Sequence, residues 1–311
     1  MLATATNSLP ATVLYRPPSR GMLALRYLRR NKSLVVGLLI LLFFVVFTVQ
    51  GLLTLDLDAA YPLSVRTKQP PSATYLLGTD WYGRDLHTAM VVGLWQSAVI
   101  GLSAGTVATI IPVVLGFTSA FFGGWVDRVI TSVCAILQPI PAFLIQIILA
   151  STLDKNVIFD DSKPLQTILI MAGIVALLAW MQPTLVIRAQ VLSMKERTYV
   201  NVARLSGMSS FAIIFRELLP NLLPFIVAGF VTAVFNAIFV SFGLSVLGLA
   251  PLREPLLGNI IFFAQAQAAV FNGWWWWPLW PVASLALIFA ALTLINIGLD
   301  EVANPRARRT E

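Results

Sequence analysis

Side chains that could perform catalysis or bind a metal are scarce in this chain. It has one cysteine, Cys134, and one histidine, His87, which excludes a disulfide framework and a metal site built from clustered histidines. The pattern GxxxxGK[ST], which cradles nucleotide phosphates, does not occur. We therefore expect no metal, no cofactor and no catalytic residue in the chain, which would not be an enzyme.

The remaining candidates are polar side chains inside long apolar runs. Such residues are costly in a membrane and often functional, although most of them make interhelical hydrogen bonds. Asn236, midway along one run, is the best candidate for lining a transport path, and Gln138, beside Pro139 and Pro141, is the second. No charged residue lies deep in a run, which disfavours a proton-coupled carrier. The other candidates are Gln50, Gln146, Gln182 and Asn296.

These residues must be positioned by membrane-spanning helices. The chain is 58% hydrophobic and 11% charged, whereas soluble domains carry about 25% charged residues. A spanning helix takes about 20 mostly apolar residues. The sequence predicts an all-α membrane protein with six transmembrane helices, over Leu34–Leu55, Leu86–Val126, Val129–Leu153, Pro164–Ile187, Leu218–Leu252 and the last part of Pro255–Leu299.

The distribution of basic residues predicts the orientation. With both termini in the cytoplasm of a cell-membrane protein, 15 of the 21 Lys and Arg residues are cytoplasmic, as the positive-inside rule requires. Prolines 139 and 141 are expected to kink or break the third span. The predicted parts are a basic cytoplasmic segment 1–33, a first span 34–55, an extracytoplasmic loop 56–90, a five-span core 91–300 with a cytoplasmic loop 193–221, and a cytoplasmic tail 301–311.

Two segments resemble membrane anchors. The run "GWWWWPLWP", Gly273–Pro281, favours an aromatic belt at the outer interface over a ligand-stacking site. The basic "RYLRRNK" before the first span can meet anionic lipid headgroups. Three amides, Gln265, Gln267 and Asn272, make Pro255–Asn272 a poor span, so we interpret it as an outer loop that could hold a short re-entrant helix.

The cytoplasmic loop is patterned as helix, glycine turn and helix. Met194–Ser206 contains no helix breaker, Gly207 suits the position after a helix end, and Ser209 or Ser210 can cap a second helix. An amphipathic stripe is predicted over Phe211, Ile214, Phe215, Leu218 and Leu219. The loop could be a solvated hairpin or a docking element for a soluble partner. Reading of DNA is disfavoured because the loop is short and tethered, so we expect no nucleic-acid partner.

Four motifs in order resemble one family. The loop is similar to the "EAA" signature at Ala203, Gly207 and Leu219–Pro220, and departs from it at Asn201, Val202 and Glu217. "LGTDWYGRD", "FFGGWVDRV" and the tail "GLDEVANPRARR" also fit. The chain resembles the inner-membrane permease subunits of ATP-binding-cassette importers, in the dipeptide/oligopeptide/nickel group, and its short outer loop resembles the C-type partner.

This resemblance implies a type I importer permease fold and a defined set of partners. These are a second permease, two ATPases that bind ATP and Mg, and an extracytoplasmic binding protein. It implies import of peptides, or alternatively of nickel or another small solute; a carrier that needs no ATPase and a membrane scaffold are alternatives of other classes. The implied ATPase-coupling residues are Tyr199, Asn201, Ala203, Arg204, Gly207, Met208 and Ser209, and the outer-loop signature supplies Gly78, Asp80, Gly83, Arg84 and Asp85.

Overall fold

The computed structural model describes residues 31–152 and 163–303, and the regular elements within them are helical. The helices are α1 (Lys32–Thr54), α2 (Leu86–Phe122), α3 (Gly124–Leu137), α4 (Ala142–Thr152), α5 (Pro164–Ala176), α6 (Met181–Lys195), α7 (Thr198–Leu205), α8 (Ser210–Ile213), α9 (Leu219–Val246), α10 (Leu257–Ala266) and α11 (Trp276–Ala303). A 3-10 turn covers Leu57–Ala60, and a π turn, Ile214–Leu218, joins α8 to α9.

Six membrane crossings can be assembled from these helices. Four stretches are long and apolar enough to span alone: α1, α2, Ser210–Val246 and Trp276–Leu299. The pairs α3 with α4 and α5 with α6 each form a bent span, with bends of 74° and 59°. The all-α membrane fold is therefore confirmed. The predicted basic segment and tail fall almost wholly outside the described residues.

The second and third predicted spans meet at a pair of glycines. Gly123 and Gly124 both have positive φ, 65° and 59°, which glycine adopts at little cost. The prediction of Leu86–Val126 was therefore wrong at its end, since α2 stops at Phe122 and the next helix already starts at Gly124. The predicted break at Pro139 and Pro141 is confirmed, because no helix covers residues 138–141.

The fourth span was predicted as one helix over Pro164–Ile187, but it is broken at residues 177–180. Pro183 lies in the first turn of α6 and has no N–H to give to the carbonyl of Ala179, so an unbroken helix would lose a hydrogen bond there. The Gln146 amide donates to the carbonyls of Val175, at 2.9 Å, and Ile174, at 3.5 Å. These interhelical bonds provide partners for the carbonyls at the buried C-terminal end of α5.

The last two predicted spans are also trimmed by the structure. Helix α9 ends at Val246 rather than Leu252, because Gly248 takes φ 71° and its N–H bonds back to the Ser245 carbonyl. The short helix expected within Pro255–Asn272 is present as α10, and its Leu257, Asn259 and Ile260 are buried against the bundle. The final span begins at Trp276.

Helix α2 is the centre of the bundle and packs against both α9 and α6. A Cβ at Gly105 would lie 2.7 Å from Val234 on α9, and one at Gly116 would lie 2.8 Å from Ile187 on α6. Small residues of this kind let membrane helices approach closely. The close packing of α2 on α6 and α9 therefore fixes the relative positions of these three helices.

Candidate functional site

A cavity of about 760 Å3 opens between α2, the two bent pairs, α9 and α11. Both helix breaks line it, at Gln138–Pro141 and at Leu178–Ala179. Backbone that is not helical is tolerated at membrane depth where it lines such a cavity. The two bent spans can therefore be interrupted at these points, because the non-helical backbone of each break faces the cavity.

Both residues that the sequence singled out for a path, Asn236 and Gln138, line this cavity and are exposed in it. Gln182, one of the weaker candidates, is exposed there as well. Pro112, inside α2, has no N–H for the carbonyl of Ala108, and both residues contribute to the wall. The lining residues within the described part of the chain are all uncharged.

Two other amides in the wall hold helices together. Gln146 is 3% exposed and serves α5, as described above. The Asn296 amide on α11 donates to the hydroxyl of Thr232 on α9 at 2.7 Å. The expectation that most polar residues in the spans make interhelical hydrogen bonds is confirmed for these two.

The glycine turn of the loop between α6 and α8 has a well-defined geometry. Gly207 has φ 78°, its N–H bonds to the Arg204 carbonyl at 3.0 Å, and the Met208 N–H bonds to the Ala203 carbonyl at 3.2 Å. These two bonds define a Schellman motif, which satisfies the last carbonyls of α7. The Ser209 hydroxyl then accepts the Ala212 N–H at 3.3 Å, so the predicted cap is confirmed.

The first helix of this loop is shorter than predicted. The helix expected over Met194–Ser206 is interrupted, because Arg197 is extended, at φ −73° and ψ 145°, and α7 begins only at Thr198. The Lys195 ammonium bonds to the carbonyls of Ala120 and Phe121 at the end of α2, which fixes the point at which the chain turns.

One face of α7 is buried in the protein. Val200 is fully buried and Ala203 is 7% exposed, and together with Met208 they pack onto a cluster formed by the ends of α2, α6 and α9. Of the predicted coupling residues, Ala203 therefore lies inside and Met208 is half-buried. These two residues determine where α7 lies, and they contribute little to its exposed surface.

The opposite face of α7 is open. Tyr199, Asn201 and Arg204 are exposed, as a docking role requires, and Leu205 is 89% exposed. Leu205 was not predicted, although its sequence signal, a leucine next to the glycine turn and off the buried face, was present. We call the exposed side chains of Tyr199, Asn201, Arg204 and Leu205 the docking face.

The predicted stripe after Gly207 is split. Ile214 and Leu218 are buried, but Phe211 and Phe215 are 66% and 61% exposed. In the π turn the Leu219 N–H bonds to the Ile214 carbonyl, five residues back, and Pro220 follows with no N–H to restore the α-helical register. The two phenylalanines therefore point outward on the same side of the molecule as the loop.

An ion pair ties α3 to α6 beside this loop. The Arg188 guanidinium makes two hydrogen bonds to the Asp127 carboxylate, at 2.5 and 2.7 Å, and the Ser119 hydroxyl donates to the same carboxylate. A bidentate arrangement of this kind fixes orientation as well as distance.

The outer-loop signature is folded inward. Asp80 and Arg84 are each 2% exposed, and the Asp80 carboxylate accepts the Arg84 N–H at 2.9 Å. The Arg84 guanidinium lies 3.9 Å from the same carboxylate and 4.8 Å from the ring of Phe263. Burial raises the pKa of Asp80 to about 6, although these hydrogen bonds and the Arg84 charge oppose the rise.

The other signature residues shape the same turn. A Cβ at Gly83 would lie 2.6 Å from the Val65 carbonyl, and one at Gly78 would lie 2.6 Å from Trp276. Asp85 caps α2 by accepting the Thr88 N–H at 3.1 Å. These contacts hold the motif in a tightly packed turn.

The tryptophan run packs against the outer loop. Trp277 is fully buried, and the indole N–H groups of Trp276 and Trp280 donate to the carbonyls of Thr79 and Leu77, at 3.4 and 3.2 Å. Trp275, which is 55% exposed, remains available as an interfacial anchor. Trp276, Trp277 and Trp280 therefore serve contacts within the protein, and the aromatic belt stays a prediction.

Comparison with known proteins identifies the family. A family described as "Binding-protein-dependent transport system inner membrane component" matches residues 112–309. The chain is 32% identical to the oligopeptide transport system permease protein OppC of Mycobacterium tuberculosis (strain ATCC 25618 / H37Rv), over 93% of this chain and 96% of that protein. It is 28% identical to the dipeptide transport system permease protein DppC of Bacillus subtilis (strain 168), over 92% of this chain and 86% of the relative.

A second dipeptide permease protein DppC, from Alkalihalophilus pseudofirmus, is 29% identical over 99% of this chain and 97% of its own length. The chain belongs to the family of inner-membrane components of binding-protein-dependent transport systems. It is therefore a multi-pass membrane permease with the type I importer fold.

Proposed function

We propose that this chain is one of two permease subunits of an ATP-driven importer of di- or oligopeptides. The names of the three relatives support a peptide substrate over nickel. In this proposal the cavity that contains Asn236 and Gln138 is this subunit's part of the translocation path, and a related second permease supplies the rest.

Both termini and the docking face lie in the cytoplasm in this proposal, and the outer loop faces the extracytoplasmic binding protein. Two ATPase subunits bind ATP and Mg, and one of them receives the docking face in a groove. The distribution of Lys and Arg supports this orientation. The hydrolytic chemistry then belongs to the ATPases.

The observation that carries the proposal is the two-sided character of α7. Its inner face, Val200 and Ala203, is packed into the ends of three helices, while its outer face is exposed around Leu205. A short helix held so firmly moves as one body with the spans behind it. Gly207, Met208 and Ser209 fix the shape of the loop, and Tyr199, Asn201 and Arg204 provide contacts.

The proposed mechanism follows from these contacts. ATP-driven closure of the ATPase pair draws the α7 helices of the two permeases together. Because α7 is packed onto α2, α6 and α9, which also wall the cavity, the same displacement shifts the cavity from inward-open to outward-open. The ATPases must bind the two states with different affinity, as any switch requires. Asn201, where the family signature has Glu, leaves Arg204 as the charged member of the docking face.

Reconstitution of the importer tests the proposal. Tagged chain, expressed with its neighbouring genes, should co-purify with an ATPase and a second permease. Gly207→Pro, which removes a hydrogen bond and cannot adopt φ 78°, should abolish peptide uptake while leaving membrane insertion and ATP hydrolysis. Gly207→Asn is the matched control, since asparagine tolerates this φ, and it should retain most uptake. Normal uptake by Gly207→Pro, or purification without any ATPase, would contradict the proposal.

A further inference from the structure

The cavity has three carboxamides that the fold does not use. Gln138, Gln182 and Asn236 line it, are exposed in it, and make no side-chain hydrogen bond to the residues that the structure describes. The other two carboxamides of the wall, Gln146 and Asn296, are engaged with neighbouring helices. Three neutral groups that both donate and accept hydrogen bonds are thus directed at the same space.

The remainder of the wall is apolar or bears a hydroxyl. Burying a polar group against such a surface without a hydrogen bond is costly, so a ligand must find its partners among the few polar groups. A carboxamide has an N–H donor pair and a carbonyl acceptor, and a peptide group has one donor and one acceptor. The chemistry of the two groups is therefore complementary.

The size of the cavity fits a small peptide, since 760 Å3 lies within the range of about 300 to 1,000 Å3 typical of small-ligand sites. The lining residues that the structure describes carry no charge, so no side chain there attracts or repels an acidic or a basic residue of a ligand. The two helix breaks add main-chain polar groups to the same wall.

We propose that the cavity is a binding site for the peptide main chain, in which Gln138, Gln182 and Asn236 recognise peptide groups and the lining does not distinguish side chains by charge. This inference rests on the proposed function and adds to it the residues that determine specificity. A peptide is then bound through its main-chain peptide groups, which all peptides have in common. Selection among sequences is then left to the binding protein.

The first test removes the carboxamides from the assembled importer in proteoliposomes that contain both permeases, the ATPases and the binding protein. Uptake of trialanine per ATP hydrolysed should fall roughly tenfold in the double variant Gln182→Leu/Asn236→Leu, as the loss of two hydrogen bonds predicts. Gln50→Leu, an exposed amide on α1 outside the cavity wall, is the matched control and should keep normal uptake.

The second test adds a charge without changing the shape. The wild-type importer should take up Ala-Lys-Ala and Ala-Glu-Ala within about twofold of each other, after correction for the measured affinities of the binding protein. Asn236→Asp should favour the lysine peptide by roughly tenfold, the effect expected of one new charge in a largely apolar wall. This isosteric variant remains informative if the leucine variants fold poorly.

Unchanged trialanine uptake in the double variant would overturn the inference, as would a charge preference in the wild type or none in Asn236→Asp. The proposed function would survive those results as long as the wild type imports peptides. A wild-type importer that moves no peptide would overturn both.

Discussion

The segment 55–85 between α1 and α2, called here the outer loop, and the loop around α7 are two polar segments outside the spans, and both turn on glycines with positive φ. At Gly78 and Gly83 a Cβ would lie 2.6 Å from neighbouring atoms, whereas at Gly207 it would meet nothing within 4 Å. The outer loop is therefore packed as part of the protein core. Gly207 is required only by the conformation of its own turn.

Burial shows the same contrast. The charged pair of the outer loop, Asp80 and Arg84, is 2% exposed, while Leu205 at the end of α7 is 89% exposed. Both loops expose a leucine, since Leu63 of the outer loop is 90% exposed, but of the two only the outer loop buries a charged pair. The outer loop therefore holds its charged pair within the protein, whereas α7 keeps an exposed face. Four predictions examine this difference.

Removing Arg84 should have the largest effect. Arg84→Ala leaves the Asp80 carboxylate buried without its counter-charge, and breaking a buried pair costs about 3 to 5 kcal/mol. The midpoint of thermal unfolding in detergent should fall sharply. Arg66→Ala, an exposed arginine of the same loop, is the control. A drop no greater than that of the control would show that the outer loop is not part of the core.

The same substitution in both loops compares their glycines directly. Gly207→Ala should cost about 1 to 2 kcal/mol, the price of a left-handed conformation for a residue with a Cβ. Gly78→Ala should cost more, because its Cβ also meets Trp276 and the Gln69 carbonyl. Unfolding of the two variants in the same detergent measures the difference. Equal losses would mean that the Trp276 contact yields readily.

The buried carboxylate makes stability depend on pH. The pKa of Asp80 rises from 3.8 in the unfolded chain to about 6 in the folded one, so the folded chain binds this proton more tightly. The contribution of Asp80 to stability is therefore greatest below pH 3.8, falls as the pH rises to about 6, and then levels off. The midpoint should drop by a few degrees across that window. Asp80→Asn should flatten the slope, whereas Asp58→Asn, an exposed carboxylate nearby, should preserve it.

Leu205→Ala should have the smallest effect on the fold, within about 0.5 kcal/mol, because the side chain touches little of the protein. It should weaken association with the ATPase roughly tenfold, since a leucine buried in a partner contributes apolar area. Affinity of the detergent-purified permease pair for the ATPase measures this. Leu63→Ala, which is 90% exposed in the outer loop, should leave that affinity unchanged.

The apolar composition and the positions of proline, glycine and serine predicted most of the spans and one of the turns. The apolar runs located the spans, the prolines at 139 and 141 located one break, and the spacing around Gly207 and Ser209 predicted the turn and its cap. Asn236 and Gln138 were singled out because a polar side chain in a long apolar run is costly, and both line the cavity. Each of these signals is local, so the sequence carries it directly.

The errors have a common origin in contacts between distant residues. The break at 177–180 is stabilised by Gln146 from another helix, and the turn at Arg197 is fixed by Lys195 reaching the end of α2. The inward direction of Asp80 and Arg84 depends on α10, which supplies Phe263. Periodicity alone cannot report such partners, because it describes which residues share a face and not what covers that face.

The π turn at Ile214–Leu218 sets the angular relation between the loop that carries α7 and the span α9 that follows it. One residue in excess of the α-helical repeat rotates everything before it by about 100° relative to everything after it. Shortening the turn by a single residue would therefore leave both helices intact but aim the loop at a different quadrant of the molecule. The π turn therefore determines the direction in which the exposed face of α7 points relative to α9.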